Sequence, residues 1–352
     1  MLRVAITTSD QQACGLYRVQ WPAEELERRG KIELVPFPEI KLSCHQKDGE
    51  IVVDGVEEYP DADVLVMQRT AERQLVDSIP FFQERGIAVA IDVDDDLQHL
   101  PSGHAQFRYY ARNMSGWRDL KRACRMADFV VASTPRIAEV YAPHGRSLVI
   151  RNSVPKRFLE IEAERDGRTV GWGGTVFNHP GDLQVTRGGV GEAVRECGAR
   201  FMVVGVKADV RQALRLPEEP VETGIVDFKE YPRYIARLDV TIAPLLDNSY
   251  NQAKSWLKIL EASALGVPWV ASNTPEYFQF VVQGGPLGYI ARPKSKDWYK
   301  GVRALLKDSS LREDEAQRGR EIVREHFTIE KNCDHWLQAW RMASRNRQTV
   351  AA

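Results

Sequence analysis

Between Ile242 and Ser272 the chain reads IAPLLDNSYNQAKSWLKILEASALGVPWVAS, which sets Lys254, Ser255, Lys258 and Glu261 close to a reversal of direction. Ile242–Leu245 reads as the end of a buried strand, and a polar loop rich in Asn and Ser follows. From about Lys254 the apolar residues Trp256, Leu257, Leu260, Ala264 and Leu265 recur at helical spacing. Gly266 stops that helix and Pro268 opens the next strand, WVAS. Free amides at a helix start, with two ammonium groups, suit a diphosphate. Glu261 would accept hydrogen bonds from ribose hydroxyls. The competing reading is an amphipathic helix whose Lys and Glu face water, and residue chemistry alone leaves both open.

Three further loops follow Val/Ile-rich strands, where α/β sheets bind ligands. In Ser9–Arg18, SDQQACGLYR, Gly15 permits close backbone approach while Tyr17 and Arg18 offer a stacking face and a fixed cation. An ordinary turn with a surface Arg is the alternative. The second loop carries Asp92, Asp94, Asp95 and Asp96, with His99 and His104 beyond. Clustered carboxylates raise one another's pKa. A metal site, a set of acceptors for sugar hydroxyls with a helix N-cap, and a solvated acidic turn all fit. The third loop, GWGGTVFNHPGD from Gly171 to Asp182, has glycines that let the backbone approach a diphosphate, although tight turns need glycine too.

A basic stretch between Phe107 and Arg125 holds Arg108, Arg112, Arg118, Lys121, Arg122 and Arg125, interleaved with Tyr109, Tyr110 and Trp117. It suits an anionic acceptor or surface (a lipid phosphate, a phosphorylated glycan, DNA) or simply a solvated basic helix face.

Two repeats of strand and helix must position these loops. The first runs from LRVAITT to LVIRNSV, with a hairpin near IVVDG; the second runs from TVGWGG to YIARP. Short strands separated by helices imply parallel sheets covered on both faces. The expected organisation is a Rossmann-like domain at 1–152, a linker at 153–168 and a second domain at 169–325. A helix at 326–345 and a disordered tail at 346–352 complete it. At 352 residues, 43% hydrophobic and 28% charged, the chain suits two soluble domains, and its net charge of −1 gives no global pull toward nucleic acid or membrane. Five scattered cysteines, without metal-ligand spacing, imply a reduced compartment and no structural zinc. MLRVAITTSD reads as a strand and polar loop rather than a signal peptide, and no apolar run is long enough to span a bilayer. The expected location is cytoplasmic, with a peripheral membrane position open.

Glu261 and the LEASALGVPWVAS around and after it resemble the donor-nucleotide segment of retaining glycosyltransferases of the GT-B fold, the family 4-like group. The family's first glutamate would fall at Ala253 and is missing, with Asn251, Gln252 and Lys254 as nearby candidates for its contacts. Cys14, Gly15, Tyr17, Arg18 and Pro22 are similar to a CGxYR-x3-P element of some such enzymes, and IDVDDDLQHLP is similar to their acceptor-side loop. Gly173, Gly174, Thr175 and His179 fit their first donor loop. DVDDDL also resembles the nucleophile motif of haloacid-dehalogenase phosphatases, but it does not lie on the first strand and Asp96 stands in the Thr/Val place.

The resemblance implies two Rossmann-like domains facing across a cleft, with the terminal helix packing back on the first. It implies transfer of a sugar, with retention, from a UDP-, GDP- or TDP-linked donor to a hydroxyl, without a metal or other cofactor. Asp92, at its strand tip, Lys258, Glu261 and His179 are the expected catalytic set. Gly173, Gly174, Thr175, Asn251, Lys254, Ser255, Lys258 and Glu261 would hold the donor, with Val226–Lys229 along the base. His179, Arg187, Lys254 and Lys258 are the groups available to neutralise its diphosphate. Gly15, Tyr17, Arg18, Asp94 and Asp95 would face the acceptor: a glycan, a lipid-linked sugar, a protein or a modified DNA base. Alternatives are a sugar-nucleotide epimerase of the same shape, a non-catalytic nucleotide-sugar binder and a metal-dependent phosphatase.

Overall fold

The computed structural model describes residues 1–10, 13–110, 115–206 and 208–351; Arg112 of the basic stretch lies outside them. Two parallel six-stranded sheets form the body. The first has the order β2-β1-β5-β6-β7-β8, where β1 is Leu2–Thr7, β2 Ile32–Val35, β5 Val64–Gln68, β6 Ala88–Val93, β7 Phe129–Ala132 and β8 Ser147–Val149. β3 (Leu42–Lys47) and β4 (Glu50–Val56) form a separate antiparallel hairpin. The second sheet has the order β11-β10-β9-β12-β13-β14, from β9 (Thr169–Thr175), β10 (Arg200–Val206), β11 (Val221–Glu222), β12 (Val240–Ala243), β13 (Trp269–Ser272) and β14 (Tyr289–Ala291). Strand order therefore reverses between β1 and β5 in one sheet and between β9 and β12 in the other. Such switch points leave a crevice at the strands' C-terminal ends.

Burial of both faces explains the apolar strands. In β5, Val64 and Val66 enter one core while Leu65 and Met67 enter the opposite one. The terminal helix, Ile329–Ala351, covers the first of these faces, setting Cys333, Trp336, Ala339, Trp340 and Ala343 against Val4, Val66, Ala90 and Phe129. It continues through the stretch read as a disordered tail, because Asn346 donates to the Asp128 carbonyl at 2.9 Å and Arg347 lies 3.6 Å from the Asp128 carboxylate. The charged region 297–326 is two helices, Ser295–Lys307 and Ser309–His326; Asp308 breaks it by capping the second, its Oδ1 accepting from the Leu311 amide at 2.9 Å. No helix among the described residues is long and apolar enough to cross a membrane.

Side chains cross between the halves in both directions. Tyr17, from the helical turn Leu16–Gln20 that follows β1, packs in the core of the second half with Phe158 and Leu260. Tyr250 and Ala253, from the second half, pack in the core of the first with Leu97 and Tyr110.

Candidate active site

A cavity of about 380 Å³ opens where the C-terminal ends of the two sheets meet. From the second half it is lined by Gly173, Gly174 and Thr175 at the C-terminal end of β9, by His179 beyond it, and by Lys254, Ser255, Lys258 and Glu261 after β12. From the first half Tyr17, Arg18, Asp94 and Asp95 reach it. Gly15, Asp92 and Asn251 do not line it, nor do Arg187, Asp227 and Lys229.

The glycines expected in a loop instead close β9, and they have a steric cause. Gly174 takes φ of +151°, and at Gly205 on the paired strand a Cβ would stand 2.1 Å from the Gly174 carbonyl oxygen. The helix expected from about Lys254 begins at Leu257 and ends at Ala264. Lys254 and Ser255 sit in the turn before it because tertiary contacts hold them there. Lys254 donates to Asp95 Oδ1 and to the Tyr250 hydroxyl, both at 2.9 Å, and Ser255 Oγ accepts from Asn152 Nδ2 at 2.9 Å. The Trp256 indole N–H donates to the Asn152 carbonyl at 2.9 Å, which fixes the helix entry.

Glu261 is buried and accepts a 2.5 Å hydrogen bond from the Tyr17 hydroxyl. Burial pushes its carboxyl up to about 7, against the pull of Tyr17 and Lys258. Lys258 donates to the Gly173 carbonyl, and burial pushes its ammonium down although Glu261 supports it. For Lys254, burial is outweighed by Asp95, leaving the ammonium well above its usual range. His179 bonds Asp182 at 2.9 Å through Nδ1, yet burial and Lys258 push it down to about 4. It is neutral at pH 7, so it cannot supply the positive charge expected of it toward a diphosphate.

The residues outside the cavity are engaged elsewhere. Asp92, expected at the reacting centre, takes the Arg18 guanidinium in a two-pronged pair at 3.0 and 3.1 Å, with both side chains 1% exposed. Arg18 also donates to the Ile150 carbonyl and Asn152 Oδ1, and Trp336 donates to the Arg18 carbonyl. That pair anchors the first half's loops beneath the cavity. Asn251 donates to Asp182 Oδ1 at 2.7 Å and to the Leu246 carbonyl, so it braces the loop. Gly15 lies under its turn, where a Cβ would meet the Asp10 carbonyl oxygen at 2.0 Å. Tyr17, expected to face an acceptor, instead reaches across to the donor-side glutamate. That contact spans 244 positions and has no local sequence signal.

The acidic loop divides among several partners. Asp95 pairs with Lys254, Asp96 with His99 at 2.6 Å, and Arg69 lies 3.8 and 3.9 Å from Asp94 and Asp95. Among the described residues no group of three or more His, Cys, Asp or Glu converges to hold a metal ion. Asp94 Oδ1 is buried without a hydrogen-bond partner and belongs to a cavity-lining residue, which leaves it an acceptor for a hydroxyl. His104 packs edge-on against Tyr250 with centroids 5.6 Å apart, and its Nδ1 accepts from the Gln106 amide.

Residues 182–308 match the model of the family described as Glycosyl transferases group 1. The second half carries a group 1 glycosyltransferase domain. A protein of Bacillus subtilis (strain 168) named for teichuronic acid biosynthesis, the glycosyltransferase TuaH, is 35% identical over 89 residues, which cover 23% of this chain and 22% of that protein. The chain thus matches about a fifth of that relative's length. Among solved structures, sucrose-phosphate synthase from Thermosynechococcus elongatus superposes with a TM-score of 0.60 at 13% identity, covering 100% of both chains. HepE of Anabaena, solved with UDP and glucose, gives 0.61 at 12% identity over 96% of this chain and 99% of its own. The pneumococcal O-GlcNAc transferase GtfA gives 0.57 at 14% identity, with 80% of this chain and 56% of that one covered. The whole fold is GT-B. In this glycosyltransferase domain, Glu261 and Lys258 lie on the helix that follows β12, and the first-glutamate place, Ala253, is a buried residue whose carbonyl accepts from Thr134 Oγ1.

Proposed function

We propose that the cavity holds a nucleoside diphosphate sugar and that the protein transfers its sugar to a hydroxyl acceptor with retention of anomeric configuration. The observation that carries this reading is the placing of Lys258 and Glu261 together on one helix, facing the Gly173–Gly174 end of β9. The diphosphate would lie against the first-turn amides at Leu257 and Lys258, with the Lys258 ammonium beside it. Glu261, held by Tyr17, would accept from the ribose hydroxyls.

His179 donates Nδ1–H to Asp182, so its Nε2 is left as an acceptor suited to a sugar hydroxyl rather than to phosphate. Asp94 offers a second acceptor from the opposite half. As the glycosidic bond breaks, negative charge grows on the leaving diphosphate, where Lys258 and the amides stabilise it. The leaving phosphate then takes the acceptor's proton, so no dedicated protein base is required. Closure of the halves keeps out water that would hydrolyse the donor. No metal enters this scheme. The solved relatives that hold UDP with glucose or GlcNAc favour a uridine nucleotide. Free cysteines and a sugar-nucleotide substrate fit a cytoplasmic setting.

The test is thermal stability with UDP, GDP and TDP and their sugars. A ligand at a hundred times its dissociation constant stabilises by about 2.7 kcal/mol. Lys258→Ala and Glu261→Ala should each lower turnover at least tenfold while remaining folded. No response to any nucleotide, or wild-type turnover in both variants, would overturn the reading. Product analysis with donor alone separates transfer from epimerisation.

A further inference from the structure

A second cavity, of about 940 Å³, opens at the C-terminal ends of β1 and β5, the switch point of the first sheet. Leu16–Gln20 form one π-helical turn that stands between the two cavities. Leu16 and Gln20 line the second cavity, while Tyr17 and Arg18 line the first. Phe228 borders both, so a ligand in one can approach the other there.

The lining of the second cavity is polar but poor in free positive charge. Thr7, Thr8, Ser9, Gln68 and Gln106 contribute uncharged hydrogen-bonding groups. The Arg69 guanidinium already faces Asp10, Asp94 and Asp95, and Glu39, Glu72 and Asp227 outweigh Lys229. A phosphate or uronate would find no cation cluster here. Tyr109, 47% exposed, presents a ring set edge-on against Tyr110 with centroids 4.6 Å apart. Gln68 is 3% exposed; its Oε1 accepts from Ser9, but its Nε2 has no hydrogen-bond partner. A buried amide left unpaired is costly, and a ligand hydroxyl would relieve it.

We propose that this cavity is a carbohydrate site that holds the acceptor as the end of a neutral oligosaccharide. Sugar C–H faces rest on Tyr109, and hydroxyls bond the uncharged polar lining. The volume exceeds that of one sugar ring, so more than one residue of the glycan is seated. The terminal hydroxyl passes Phe228 toward the donor's anomeric carbon. There its oxygen forms the new bond, the bond to diphosphate breaks, and the nucleoside diphosphate leaves with the electron pair and takes the hydroxyl proton. The role as acceptor site rests on the transferase reading; binding of the glycan does not.

The experiment titrates the full chain with chitotriose, maltotriose and cellotriose, and with trigalacturonate as the anionic counterpart, by saturation-transfer NMR. Nucleotide thermal shifts are measured alongside. At least one neutral trisaccharide should bind at least tenfold more tightly than trigalacturonate. Tyr109→Ala and the cavity-filling Gln106→Trp should each weaken that binding at least tenfold and leave the nucleotide shift unchanged. Absence of binding to all three neutral probes, preference for trigalacturonate, or unaltered binding in both variants overturns the proposal. Intact nucleotide binding beside such a result indicts this cavity alone; loss of any nucleotide response indicts the transferase reading.

Discussion

Glu261 is the residue whose chemistry depends most on its surroundings. A carboxyl with an ordinary value of 4.5 is held at about 7 by burial, so near neutral pH it is part protonated even with Lys258 and Tyr17 beside it. The folded state therefore binds this proton more tightly than the unfolded chain. Stability from this group is full below its unfolded pKa and is lost as pH rises to about 7. Across that interval the loss is about 3 kcal/mol at most. Denaturant unfolding from pH 4.5 to 8 should show the decline in the wild type and not in Glu261→Gln; a parallel decline in both would remove Glu261 as its source. Tyr17→Phe deletes a bond that lowers the pKa, so it should move the midpoint upward. If ribose hydroxyls donate to the carboxylate, donor affinity should rise with pH through the same midpoint, and follow it in Tyr17→Phe.

At the scale of elements, the repeated strands were legible because parallel strands buried on both faces leave a direct trace in composition: AVAIDV and DFVVA contain little else. The loops at the strand ends followed from that repeat, and all four expected cavity walls carry residues named from sequence. What could not be read was set by distant contacts. The helix beginning at Leu257 rather than Lys254 follows from the Asn152 and Asp95 bonds, which no helical period encodes. Asp92 looked free at its strand end, but Arg18 reaches it from a helical turn 74 positions away. The terminal helix shows how such contacts carry load. Trp340 is fully buried against the first sheet, and Trp336 donates to the carbonyl of the same Arg18. Trp340→Ala should cost about 3 to 5 kcal/mol in denaturant unfolding, as large-to-small core changes do. A cost below about 1 kcal/mol would mean that the helix is dispensable for the first half.

For the whole molecule, four of the ties between halves converge on one segment. Asp95 reaches Lys254, Thr134 reaches the Ala253 carbonyl, Asn152 reaches Ser255 and Tyr17 reaches Glu261. All four partners lie between 253 and 261, the stretch proposed to grip the diphosphate, so the grip and the closed arrangement share the same side chains. The Asp95–Lys254 pair tests whether that sharing has thermodynamic consequences. Both side chains are about one-fifth exposed, at 19% and 20%. Removing one partner of a fully buried pair costs about 3 to 5 kcal/mol, so partial hydration makes about 1 to 3 kcal/mol the expectation for Asp95→Asn. The loss arises from a buried ammonium left without its carboxylate, and a diphosphate arriving at Lys254 would replace that missing charge. The nucleotide-induced thermal shift should therefore be larger in Asp95→Asn than in the wild type, at equal saturation. Asp95→Asn combined with Lys254→Met should lose the excess while regaining part of the ligand-free stability. An equal or smaller shift in Asp95→Asn would place the diphosphate away from Lys254 and leave that ion pair as a strap between the halves with no part in donor binding.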